Sequence, residues 1–275
     1  MFLALLAACF AAPPALPDPP PVVAEVPAPE VPVWPAEGAP LRVLAPPPAA
    51  PTRVLIDAGH GAPGNPGNTG VNCQREQDVT KRIQDAVITR LASFPAIAAS
   101  GTRPTDALVA YPARIALADR AADVMISIHS DVRQGQDLHV DPVTGCLTNH
   151  GATGFSVLYS DEGVFDRRKA WAAAIAARMV EAGFPAYDGA DYGMYGADPE
   201  HPGVFVDRHA MPQRIMILRR TRTPTVIVET HQAIDPAEVA RWDEPGTLDA
   251  FAAALAAAVA DMHPAPEVPP DPESP

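Results

Sequence analysis

Positive charge is scarce in this chain, with 20 Lys and Arg against 33 Asp and Glu and a formal net charge of −13. Such a surface has no field for gripping phosphate backbones or anionic lipid head groups, which excludes nucleic acid as a partner. No apolar run reaches the ~18–20 residues that a helix needs to cross a bilayer. Cysteines number three, Cys9, Cys73 and Cys146, and their spacing is not that of a zinc ribbon. There is no G-x-S-x-G turn for a nucleophilic serine, and no internal repeat.

Proline is abundant, and its placement sets the layout. Of 34 prolines, 15 fall between Pro13 and Pro51 and six between Pro264 and Pro275. Proline fixes φ and removes backbone donors, so the first stretch is expected to be an extended arm. At ~3.1 Å per residue it would span on the order of 100 Å, which makes it a tether. Ahead of it, the short apolar run Phe2 to Leu6 leads into Leu6-Ala7-Ala8-Cys9. This resembles a bacterial lipobox, which implies that Cys9 is lipidated and becomes the mature N-terminus. An ordinary cleaved secretion signal is the plainer reading, and both mean export. The expectation is therefore a signal segment at 1–9, a Pro-rich linker at 10–52, a folded catalytic domain at 53–262 and a Pro-rich disordered tail at 263–275. The protein would be periplasmic, touching a membrane only through its lipid anchor. In an oxidising compartment Cys73 and Cys146 are candidates to pair, but spacing does not fix their separation and the question stays open.

Within 53–262, three short apolar runs read as strands buried on both faces: Val54 to Ile56, Val124 to Ile128 and Thr225 to Val228. Weaker strands are expected at Ile97 to Thr102 and Phe155 to Tyr159. Helical stripes carry Val79, Ile83, Val87 and Leu91, then Trp171, Ile175 and Met179, then Leu248, Phe251, Leu255, Val259 and Met262. A helix is expected to start near Pro112, and Asp235-Pro236 with Glu238 resembles a capping box. This alternation predicts an α/β fold, a single domain with a twisted, mostly parallel central sheet flanked by helices on both faces. Ligands in such sheets collect beyond the carboxyl ends of the strands.

Those carboxyl ends deliver His60, His129 and Glu229, while Glu76 stands at a helix start 16 residues beyond His60. Two imidazoles and a carboxylate leave zinc a position for water, and a further carboxylate can serve as base. Five blocks occur in order: VLIDAGHG at Val54 to Gly61, REQDVTKRI at Arg75 to Ile83, Thr102-Arg103 with Arg114, Ser127-Ile128-His129, and PTVIVE at Pro224 to Glu229. Together they resemble the zinc-dependent N-acetylmuramoyl-L-alanine amidases of bacterial cell-wall turnover. The resemblance implies that His60, Glu76 and His129 hold Zn2+, that Glu229 is the catalytic carboxylate, and that peptidoglycan is the substrate. It leaves open whether a protein activator must open the site. The chain departs from the family pattern at Ala58, Ala62, Ser130-Asp131 and Thr230 to Ala233. The stretches 131–153 and 187–211 are longer than the family core needs, as lids, substrate loops or surface decoration.

The same chemical set would serve a zinc exopeptidase or carboxypeptidase, although no arginine is obviously placed to clamp a substrate carboxylate. A wall-binding or regulatory module without turnover is the alternative from another class. Arg103 and Arg114 read as structural ion-pair partners. His139, His150, His201, His209, His231 and His263 have no assigned role, though His231, two residues beyond Glu229, is placed to contact substrate.

Overall fold

Successive residues of the three strong apolar runs point to opposite sides of one sheet, and each side has its own helical layer. The structure, a computed structural model, describes residues 50–133, 137–189 and 191–262. The expectations for Cys9, the proline arm and the tail lie outside the described residues. In chain order the elements are β1 (Thr52–Ala58), α1 (Glu76–Leu91), β2 (Ile97–Gly101), α2 (Tyr111–Ala121), β3 (Val124–Asp131), β4 (His139–Val140), β5 (Leu147–Thr148), β6 (Ser156–Tyr159), α3 (Phe165–Glu181), β7 (Asp191–Tyr192), β8 (Tyr195–Ala197), β9 (Val204–Asp207), α4 (Met216–Arg220), β10 (Thr225–Gln232), α5 (Pro236–Asp243) and α6 (Pro245–Met262).

The main sheet runs β2-β1-β3-β10-β6-β9-β8-β7. Strands β2, β1, β3 and β10 are mutually parallel, β6 runs antiparallel to β10, and β8 pairs antiparallel with both β9 and β7. The mostly parallel α/β sheet expected from sequence is present, with an antiparallel edge added by residues 191–207. That edge takes up most of the 187–211 stretch. The other long stretch forms the separate hairpin of β4 and β5.

Val54, Ile56, Ile126, Ile128, Val226 and Val228 pack with residues of α1, α3 and α6 in one apolar cluster. Leu55, Met125 and Ile227, one residue out of phase, pack with Ala118 of α2 and with Ile217 and Leu218 of α4. The period of two thus assigns each side chain to a face. The Trp171, Ile175 and Met179 stripe is fully buried core. Helix α2 takes Pro112 in its first turn. Asp235 caps α5 by accepting from the backbone N–H of Ala237 at 2.8 Å and Glu238 at 3.1 Å. Glu238 does not complete a capping box, because its carboxylate accepts from the backbone N–H of Gln232 and Gly154 instead.

Cys73 and Cys146 are joined by a disulfide with a Cα–Cα distance of 5.5 Å, tying the segment before α1 to the β4–β5 hairpin. Among the described residues no helix is long and apolar enough to cross a membrane.

Candidate metal centre and its cleft

The site lies on the face of α2 and α4, and register puts it there. Glu229 of β10 stands directly beside His129 of β3 in the parallel ladder, one strand spacing of ~4.8 Å away. Both are in phase with Met125 and Ile227, so both side chains leave the sheet on the α2/α4 side. His60 follows the carboxyl end of β1. Glu76 opens α1, and its carboxylate turns back between the two imidazoles. His60 Nε2 lies 3.0 Å from Glu76 Oε2, and His129 Nδ1 lies 3.0 Å from Glu76 Oε1. The two rings sit edge to face with centroids 4.7 Å apart. His60, Glu76 and His129 each offer one donor atom, and all three atoms fall within 4.8 Å of one another.

Local backbone explains the glycines around His60. The chain turns sharply after β1, with His60 at φ 58° and Gly61 at φ 64°, the left-handed region that favours glycine. A Cβ on Gly59 would collide with the His129 ring and come within 2.5 Å of the Ile128 carbonyl oxygen. Only glycine lets the two histidine-bearing segments approach this closely. Arg114 holds the turn: its guanidinium donates to the carbonyls of Ala58, at 2.8 Å, and His60, and pairs with buried Asp57 at 3.1 Å. Arg114 is therefore the ion-pair partner expected from sequence. Arg103 differs, donating instead to the Gln77 carbonyl at 2.8 Å.

The histidine–glutamate geometry calls for a cation. Asn65 Oδ1, an acceptor, lies 2.8 Å from His60 Nδ1, which places the ring proton there. Neutral His60 then turns the lone pair of Nε2 toward a carboxylate oxygen, two acceptors face to face. A proton or a metal ion between them removes the conflict. Burial alone would raise the Glu76 carboxyl, but hydrogen bonds from His129 and His60 outweigh it and hold it well below the usual range. Glu76 also accepts from the backbone N–H of Asn68 at 3.0 Å and Ser130 at 3.1 Å.

Glu229 is the opposite case. The side chain is partly buried, but its Oε2 is enclosed and has no hydrogen-bond partner. Burial, followed by the charges of Asp131 and Glu76, pushes its carboxyl well above the ordinary value against the pull of Arg133. An unpartnered buried carboxyl is costly, and its cost suggests use. Glu229 lines a cleft of about 320 Å³ together with His60, His129, Tyr111, Tyr195 and Met216.

Three residues that the sequence did not single out also shape this cleft. Asn65 orients His60, Tyr111 accepts from Asn65 Nδ2 at 3.1 Å, and Tyr195 comes from the antiparallel edge. Tyr195 packs against His209, whose Nδ1 lies 2.7 Å from buried Asp207. None stands in a spacing that marks it, because their proximity is made by loops and by sheet order.

His231 does not face the cleft. Between Glu229 and Gln232 strand β10 advances three residues while β3 advances two, and this bulge reverses the alternation. His231 therefore emerges on the opposite side, 2% exposed and stacked on Trp242 at 5.6 Å. Burial, helped by the charges of Arg82 and Arg133, pushes it down to about 3 from 6.5. The unfolded chain then binds a proton that the folded one refuses. Stability is full above the unfolded value and falls by roughly 1.4 kcal/mol per pH unit as pH drops from there toward the folded value. In chelator-treated protein the urea midpoint should fall more steeply from pH 6.5 to 4 for the parent than for His231→Gln. Equal slopes would remove His231 as the cause.

A family profile described as N-acetylmuramoyl-L-alanine amidase matches residues 54–261. No curated protein matches the chain. Among solved structures, an N-acetylmuramoyl-L-alanine amidase from Clostridium difficile 630 superimposes with a TM-score of 0.59 at 18% identity, covering 78% of this chain and 97% of its own. The amidase AmiC2 of Nostoc punctiforme gives 0.55 at 21% identity over 77% and 96%. The CwlD amidase of Clostridioides difficile, solved in complex with the GerS lipoprotein, gives 0.55 at 15% identity over 76% and 97%.

Proposed function

This chain belongs to the N-acetylmuramoyl-L-alanine amidase family, and on that premise we propose that it cleaves the amide between N-acetylmuramic acid and L-alanine of peptidoglycan with zinc held by His60, Glu76 and His129. The observation that carries this reading is the placement of Glu229, with an unpartnered buried oxygen, in one cleft with His60 and His129. Two nitrogens and a carboxylate oxygen suit zinc. A zinc ion there would supply Lewis acidity to the amide carbonyl and to the attacking water.

The chain's own residues do the rest. Asn65 accepts from His60 Nδ1–H, which leaves the Nε2 lone pair free for the metal. Glu229 takes the proton of the attacking water and delivers it to the departing L-alanine nitrogen, and its apolar seat keeps that carboxyl basic enough to accept it. Ile215, Ile217 and Ile227 line the cleft beside it and limit the access of bulk water.

Peptidoglycan lies outside the cytoplasm, and the Cys73–Cys146 disulfide supports an oxidising location. We extend the proposal to export into the periplasm, with Cys9 carrying the lipid anchor; the mass of the mature N-terminus checks it. CwlD was solved in complex with a lipoprotein, and a protein partner that activates this chain enters the reading if zinc-loaded protein alone leaves peptidoglycan intact while bound to it.

The test is digestion of purified peptidoglycan by the zinc-loaded full chain, with fragments read by mass spectrometry. Stem peptides beginning at L-alanine are expected. Cleavage inside the peptide would replace the amidase reading with a peptidase. His129→Ala should lose both stoichiometric zinc, by elemental analysis, and peptide release.

A further inference from the structure

We propose that the groove between α2 and α4 receives the acidic stem peptide of the substrate, with Arg120, Arg220 and Arg222 meeting its carboxylates. The inference rests on the amidase reading for where that peptide begins. The groove has a volume of about 420 Å³ and is lined by Pro112, Ile115 and Met216 as well as by these arginines. Met216 lines both this groove and the catalytic cleft, and Pro112 of the groove follows Tyr111 of the cleft, so the two hollows are adjacent.

The groove is locally basic. On a chain of net charge −13, it brings together three exposed arginines and one acid, Asp119. The Asp119 carboxylate is engaged locally, accepting from the backbone N–H of Arg222 at 2.7 Å and of Thr223 at 3.1 Å, with Arg222 Nε at 3.4 Å. Arginine presents a planar fork that matches a carboxylate. A surface this acidic would otherwise repel an anionic peptide.

Length agrees with charge. From Tyr111, which lines the cleft, to Arg120 near the end of the helix, α2 rises ~1.5 Å per residue and covers about 14 Å. An extended peptide covers that distance in about four residues. A stem peptide whose L-alanine sits in the cleft would therefore bring its later residues and carboxyl terminus to the arginines. Stem peptides keep free carboxyl groups there.

The experiment compares the zinc-loaded full chain with a variant carrying Arg120→Gln, Arg220→Gln and Arg222→Gln. The substrates are a muramoyl tetrapeptide with free carboxyl groups and the same compound with them amidated. For the free acid the variant should raise KM about tenfold at unchanged kcat, a size expected of a few solvent-exposed ion pairs. For the amidated compound parent and variant should agree. Calorimetric binding of the free tetrapeptide, which needs no turnover, should weaken by a similar factor in the variant and in added salt. If the parent hydrolyses both compounds and the variant matches it on each, the groove proposal is overturned while the amidase reading stands. If the parent hydrolyses neither but binds the free tetrapeptide more tightly than the variant does, the groove stands and it is turnover by this chain alone that fails.

Discussion

Glu229→Gln is expected to slow release of L-alanyl peptides by about 10²–10⁴-fold, the range a positioned acid or base contributes, while zinc content stays at the parent level. The substitution keeps shape and removes the ability to accept a proton. It should also stabilise the metal-free protein. Glu229 is partly buried, its enclosed Oε2 has no partner, and nearby Asp131 and Glu76 add like charge. A neutral amide relieves that conflict, so a gain on the order of 1 kcal/mol in unfolding free energy is expected, as commonly found when a strained functional group is removed. Activity assays, elemental analysis and urea titration on the same preparation separate the effects. A variant that is slow because it has lost zinc or unfolded would argue against the proposed role. One that retains near-parent turnover would sink it.

Much of this site was legible because its residues lie where strands end. His60, His129 and Glu229 each lie at or just beyond the end of an apolar run short enough to be a strand buried on both faces, and a parallel sheet brings such ends to one side. Glu76 was legible through the helix it opens. What could not be read is what depends on order and register between distant segments. The antiparallel edge formed by 191–207 places Tyr195 in the cleft, and no periodicity in that stretch announces it. The β10 bulge was equally hidden. A strict alternation puts His231 on the same face as Glu229, and one additional residue against β3 sends it into the opposite core. The cysteine pairing stayed open for the same reason, since it needed a Cα distance that 73 residues of sequence separation do not supply.

The buried Asp57–Arg114 pair makes the second large prediction, because it couples the sheet to the turn that carries His60. Both side chains are fully buried. Asp57 also accepts from the hydroxyls of Ser127, at 2.5 Å, and Thr102, while Arg114 reaches the carbonyls of Val109, Ala58 and His60. Arg114→Met would leave one buried carboxylate short of its counter-charge and three carbonyls short of a donor, which should cost about 3–5 kcal/mol. Asp57→Asn with Arg114→Met should recover part of that loss, since the stranded charge goes with its partner, and the cycle gives the coupling directly. Recovery of stability should not bring zinc affinity back with it. His60 sits in a left-handed turn held partly by the Arg114 bond to its own carbonyl, and that bond is absent from both variants. Weakened zinc binding in both, with stability restored only in the double variant, would assign the arginine two separable tasks. If zinc affinity instead tracks stability through the series, Arg114 supports the fold alone and the turn is held by its glycines and by Asn65.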